Sequence, residues 1–194
     1  MTKWFKAVAV ALALPALLAV VILVRLKYDP PDRPVVDAST LAFIASASNV
    51  ETFRLWDTEE MEQPTQEESE ADSKRAIMLG DYLVHSEGPT EGTSFARRLS
   101  SALSKDRQDK HISIYSKTSC FAPGVGYRVW HGKDYLTMVV CFHCGGFEID
   151  GSRNGHKIQQ IRGSLGDSRT DLLRLSQSAF PKDTVLGSIK PGNG

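Results

Sequence analysis

The chain has 194 residues, and its 23 basic and 23 acidic side chains balance to a formal net charge of zero. That balance leaves no basic field for a nucleic-acid partner, and the length suits one domain with a real core beyond a targeting segment. All three cysteines fall between positions 120 and 144, so a metal, a redox pair or a disulfide is the first chemistry to weigh.

Residues 7–24, Ala7 to Val24, form an unbroken apolar run with Pro15 at its middle. As a helix the run would be about 27 Å long, near the hydrocarbon thickness of a bilayer. Lys3, Trp4 and Lys6 precede it, and Arg25, Lys27 and Tyr28 close it. A cleaved signal peptide has a shorter apolar core and a small-x-small cleavage site. Here the core runs straight into Val24-Arg25-Leu26-Lys27, so 1–28 reads as a signal anchor. Lys and Arg are nearly even on the two flanks, and the short N-terminal tail favours N-in, C-out. The expectation is a single-pass inner-membrane protein held in the lipid bilayer through 7–24. Its soluble domain then faces the extracytoplasmic side, where an envelope protein is the expected kind of partner.

Closely spaced prolines in Asp29-Pro30-Pro31-Asp32-Arg33-Pro34 make 29–39 a stiff spacer. The soluble domain is expected over 40–187, with 188–194 as a flexible tail. Val50 to Trp56 alternates apolar and polar residues as a half-buried strand does. Within the domain, 57–74 holds eight acidic residues and Pro64 without an apolar period, and reads as a mobile solvated loop. Tyr82 to His85 is a weaker strand. Thr93 is the expected N-cap of a helix over 94–105, in which Phe95, Leu99 and Leu103 share a face.

Ile112 to Tyr115 alternates again. Tyr127–Trp130 and Tyr135–Phe142 flank His131-Gly132-Lys133-Asp134, a hairpin turn. Phe147 to Ile149 is another short strand. Asp167 or Ser168 caps a last helix whose Leu172, Leu175, Ala179 and Phe180 share a broad face, and Pro181 stops it. Short strands in hairpins with two flanking helices predict an α+β domain with a mainly antiparallel sheet, behind one N-terminal transmembrane helix.

Chemistry is expected where two turns meet. Cys120 precedes the turn Ala122-Pro123-Gly124, and Cys141-Phe142-His143-Cys144 is closed by Gly145-Gly146. If the hairpin forms, Cys120 and Cys141 lie beyond the same end of it. A soft-ligand metal, zinc or copper(I), would take the thiolates of Cys120, Cys141 and Cys144. His143 would point away and His131 lie at the far end, leaving His156 as fourth ligand by elimination. A disulfide from Cys120 to Cys141 or Cys144 would close about two dozen residues and contribute roughly 3 kcal/mol. Thioredoxin-type chemistry fits poorly, since a strand rather than a helix follows the C-x-x-C. Covalent haem would need histidine where Gly145 stands.

Other motifs carry less. Gly124-Val125-Gly126 lacks a third glycine, and Gly163 to Gly166 is not a nucleophile elbow. His85 and His111 read as ordinary strand-edge histidines. Arg128 would either steady a thiolate near Cys120 or be a surface strand arginine.

The order of these pieces resembles a family of bacterial membrane-anchored or exported proteins of unknown function. The matching residues are Val50 to Leu55, Phe95 to Leu99, Cys120 to Val125, Arg128 to Trp130, Cys141 to Cys144 and Arg169 to Pro181. The resemblance covers most of 40–187. It implies a similar fold and export, and no activity.

Two functions follow as expectations. One is a non-enzymatic, membrane-tethered envelope domain whose cysteines form a disulfide or metal clasp. The other is a thiol-dependent redox protein or metal carrier that uses Cys141 and Cys144 directly.

Overall fold

The computed structural model describes residues 35–56, 77–106 and 124–191. The expected membrane anchor at 7–24, the prolines of the spacer, the acidic segment, the strand at 112–115 and Cys120 lie outside the described residues. Among the described residues, no helix is long and apolar enough to cross a membrane.

The fold is α+β with one curled antiparallel sheet. In chain order the described elements are α1 (Ala38–Ser46), β1 (Asn49–Leu55), β2 (Met78–Leu79), β3 (Tyr82–Glu91), α2 (Thr93–Leu103), β4 (Val125–His131) and β5 (Asp134–Cys141). They continue with β6 (Gly146–Arg153), β7 (His156–Lys157), β8 (Ile161–Ser164), α3 (Arg169–Ala179) and α4 (Thr184–Ser188). The strands run β2-β3-β1-β4-β5-β6, and both β7 and β8 pair with β6. The two expected helices are α2 and α3; α1 and α4 are additional, and α1 begins inside the segment read as spacer.

The helices cover one face of the sheet. Val50, Tyr127, Val129, Leu136, Met138, Val140, Phe147 and Ile149 alternate onto that face. They meet Ile44 of α1, Phe95, Leu99 and Leu103 of α2, and Leu172, Leu173 and Leu175 of α3. This core is what period-2 strands and period-3.6 helices produce when each buries one side. Its largest polar member, Tyr127, is fully buried and bonded to Ser176 Oγ, and burial raises the phenol's pKa well above its usual value.

One helix start differs from expectation. Gly92, not Thr93, occupies the N-cap of α2, whereas Ser168 is the N-cap of α3 as expected, without a side-chain cap bond. A side-chain cap does form at α1, where Asp37 accepts from the backbone N–H groups of Ser39 and Thr40 at 2.8 and 3.0 Å. The Ser39 hydroxyl, ahead of an opposing burial effect and the Thr40 hydroxyl, lowers the Asp37 carboxyl from 3.8 to about 2. A depressed carboxylate stabilises the fold above its unfolded pKa and loses that contribution as pH falls through the folded one. Asp37→Ala should therefore cost about 1 kcal/mol at neutral pH, and its urea midpoint should converge with wild type as pH falls towards 2.

The sheet curls because β3 carries two extra residues against β1. The register steps from Glu51↔Thr90 to Phe53↔Glu87, and from Arg54↔Ser86 to Leu55↔Val84. Bulges of this kind raise local twist and bend the strand. The bent hairpin β2–β3 lies over the face the helices leave open, where Leu79 joins Phe53, Leu55 and Val139 in a second small core. Leu79 Cδ2 sits where a Cβ on Gly126 would stand, so any other residue there would have to push the end of the Leu79 side chain aside.

Candidate functional site

The cysteine turn is held from several sides. β5 ends at Cys141, which pairs with Gly146, and Gly145 takes φ 66° to turn the chain. Phe142 anchors the turn in the helix-side core. Its carbonyl accepts from Arg169 Nη2 at 3.1 Å, while the Gly145 carbonyl accepts from Leu165 N–H at 2.8 Å. Within this turn Cys141 and Cys144 form a disulfide, and the Cys144 N–H donates to Cys141 Sγ at 3.0 Å.

The pairing differs from the expected bridge to Cys120, because a C-x-x-C at a strand end already brings its two sulfurs together. A bridge closing so short a loop contributes only about 2 kcal/mol by chain entropy. Cys144→Ser should accordingly lower the melting temperature by about 4–8 °C without changing the secondary structure seen by circular dichroism.

His156 is not brought to this turn. It pairs with Arg153 at one end of β6, whereas Cys141 pairs with Gly146 at the other. Seven residues of strand separate those positions, roughly 23 Å. His131 also lies at the far end, as expected, with its ring against Phe43 and Nε2 3.1 Å from Ser46 Oγ. Among the described residues no group of three or more His, Cys, Asp or Glu side chains could hold a metal ion. Cys120, the third sulfur of the expected site, lies outside them.

A large concave feature rich in polar groups lies elsewhere, on the open face. Antiparallel register sets side chains there in two rows. One row runs Glu51, Arg128, Thr137, Asp150; the next runs Asn49, Trp130, Tyr135, Ser152, Lys157. The turn between β2 and β3 brings Gly80 and Asp81 over Asp150, and Gln160 closes one side. Together they line a groove of about 870 Å³.

Arg128 lies against the Phe53 and Trp130 rings, its guanidinium carbon 5.5 and 5.9 Å from their centroids. Trp130 and Tyr135 form a tilted pair with centroids 5.3 Å apart. Burial raises the Asp150 pKa; Lys157 and Arg128 oppose the rise, and Asp81 adds to it. The Arg128 row lies four residues along β5 from Cys141, about 13 Å. Arg128 is thus a groove residue.

Only Arg128 of this groove drew notice in the sequence. A further signal was legible: Asn154-Gly155 between Arg153 and His156 is a two-residue hairpin signature. It takes φ 54° and 76° there and folds Lys157 beside Ser152. Comparison with family models, with curated proteins and with solved structures finds no match to this chain.

Proposed function

We propose that this chain is a membrane-tethered envelope protein of the exported bacterial kind that its motifs resemble. In this reading residues 7–24 are a single-pass anchor in the inner membrane, the α+β domain lies on the extracytoplasmic side, and Cys141–Cys144 is a structural clasp. The observation that carries it is the disulfide between two cysteines in a turn anchored by Phe142, Arg169 and Leu165. Paired cysteines oxidise and persist outside the cytoplasm, and the apolar run supplies the means of export. Thioredoxin-like reactivity uses a helix N-terminus to lower a thiol's pKa; here Gly145 and Gly146 lead into β6, and Cys141 is fully buried. The domain acts, on this account, by binding an envelope partner.

One contact favours a second reading, a redox protein or metal carrier that uses Cys141 and Cys144 directly. The Cys144 N–H at Cys141 Sγ would stabilise a thiolate in the reduced protein. A zinc ion on Cys120, Cys141 and Cys144 would be the metal form of the structural clasp, and it needs all three sulfurs reduced.

A phosphatase reporter that works only after export, fused to the C-terminus of the full chain, tests the first reading. The fusion should be active and membrane-bound, and replacing Leu17 and Leu18 by Arg should abolish both properties. An inactive phosphatase fusion, with a cytoplasmic reporter active in its place, would overturn it.

A further inference from the structure

We propose that the groove on the open face of the sheet binds a small zwitterionic ligand of the peptide class. Arg128 takes its carboxylate, and Asp150 and Asp81 take its ammonium. The inference does not depend on the membrane tether, because it rests on the described residues alone.

Its first ground is that the groove holds opposite charges that are not joined to one another by close ion pairs. Among the described residues no ion pair joins Asp150 to Arg128 or Lys157, and the one ion pair of Arg128, from Nη1 to Glu51 Oε2, is long at 3.9 Å, beyond a hydrogen bond. Arg128 is nevertheless held in place. Its stem and guanidinium lie against two rings, and only 24% of the side chain is exposed. An immobilised guanidinium is a fork already shaped for a carboxylate, and it loses little freedom when one arrives.

The second ground is charge balance. Two bases and two carboxylates line one groove. A dianion such as a phosphate would meet Asp150 and Asp81, and a simple cation would meet Arg128 and Lys157. A ligand with one charge of each sign pairs with both sets. Arg128 and Asp150 are partly withdrawn from water, so salt screens them less than it does the exposed Asp81 and Lys157.

Geometry supplies the rest. Arg128 and Asp150 stand in one row with Thr137 between them, two strand spacings or about 10 Å apart at Cα. Side chains reaching inward from those positions suit ligand ends a few atoms to a few residues apart. Trp130 and Tyr135 beside this row offer an aromatic shelf for the ligand's apolar body. Thr137, Ser152 and Gln160 offer hydroxyl and amide groups to its peptide units. A volume near 870 Å³ falls within the range of sites that enclose ligands of this size.

The test is calorimetric titration of the purified full chain in detergent with tri-alanine, whose two ends are free. Tri-alanine should bind saturably. Acetylating its amine or amidating its carboxylate should each weaken binding at least tenfold in the unaltered protein. Asp150→Asn should weaken tri-alanine by a similar factor but leave N-acetyl-tri-alanine unchanged, and Arg128→Gln should show the converse pattern with the C-terminal amide. Melting temperatures of both variants within a few degrees of wild type establish that they fold. Equal binding of free and doubly capped tri-alanine would overturn the proposal, as would no saturable heat at millimolar peptide. Tighter binding of a neutral disaccharide than of tri-alanine would also overturn it.

Discussion

Replacing Arg54 by Met should destabilise the protein by about 3–5 kcal/mol, one of the two largest single-residue effects expected in the described fold. Arg54 is 1% exposed on β1, and its Nε donates to Asp183 Oδ2 at 2.7 Å while Nη1 donates to the carbonyls of Gly124 and Leu55. Asp183 also caps α4 by accepting from Leu186 N–H. One guanidinium therefore ties β1 to the entry of β4 and to the C-terminal helix. Removing it strands a partly buried carboxylate, which an apolar side chain cannot satisfy.

The pH dependence carries the same signature. Burial pushes the Asp183 carboxyl up, but the Leu186 N–H and Arg54 outweigh it and hold the group below its usual range. That contribution is complete above the unfolded carboxylate pKa and is lost as pH falls through the folded one. Urea unfolding followed by circular dichroism should show a wide gap between wild type and Arg54→Met at neutral pH. The gap should narrow in acid; one that does not change with pH would mean that the ion pair contributes little.

Gly151→Ala should cost about 2–5 kcal/mol, through a different mechanism. Gly151 takes φ 155°, and a Cβ there would stand 2.2 Å from the Tyr135 carbonyl oxygen and 2.9 Å from Leu136 Cα. Both obstacles are backbone of the neighbouring strand, so relief requires β5 and β6 to separate. Gly126→Ala is the informative comparison. Its Cβ would meet the end of the Leu79 side chain at 2.1 Å, and a methyl group can move aside. The account predicts a clearly smaller loss at Gly126, measured as the shift in urea midpoint. Equal losses would mean that the β5–β6 contact is looser than the structure has it. Because Gly151 lies between Asp150 and Ser152, its variant should also lose groove binding.

How much of this was legible in the sequence varied with the physics of each element. The β4–β5 hairpin could be read because two alternating runs flank Gly132, which starts a two-residue loop at φ 60°. Helices α2 and α3 could be read because their apolar residues recur once per turn. α1 was hidden because Leu41 to Ala45 is continuously apolar, which masks a 3.6-residue period. β3 was cut short at His85 because two bulges break its alternation, with Gly88 and Pro89 beside one of them. Those same bulges fold the hairpin over the open face and build the groove. The groove itself could not be read, since its residues come from rows across separate strands and only register aligns them. Among the cysteines, spacing alone pointed to a shared site, while the local disulfide follows from the turn at the end of β5.

The reading of Cys141–Cys144 as an exported clasp is tested most directly by labelling thiols in intact cells before lysis, without reductant, and weighing the peptide that carries both cysteines. The account predicts a peptide without label and two hydrogens lighter than its reduced form, which takes up two labels only after reduction. A peptide that carries label on both cysteines at the outset, or a purified chain whose native mass includes zinc, would contradict it.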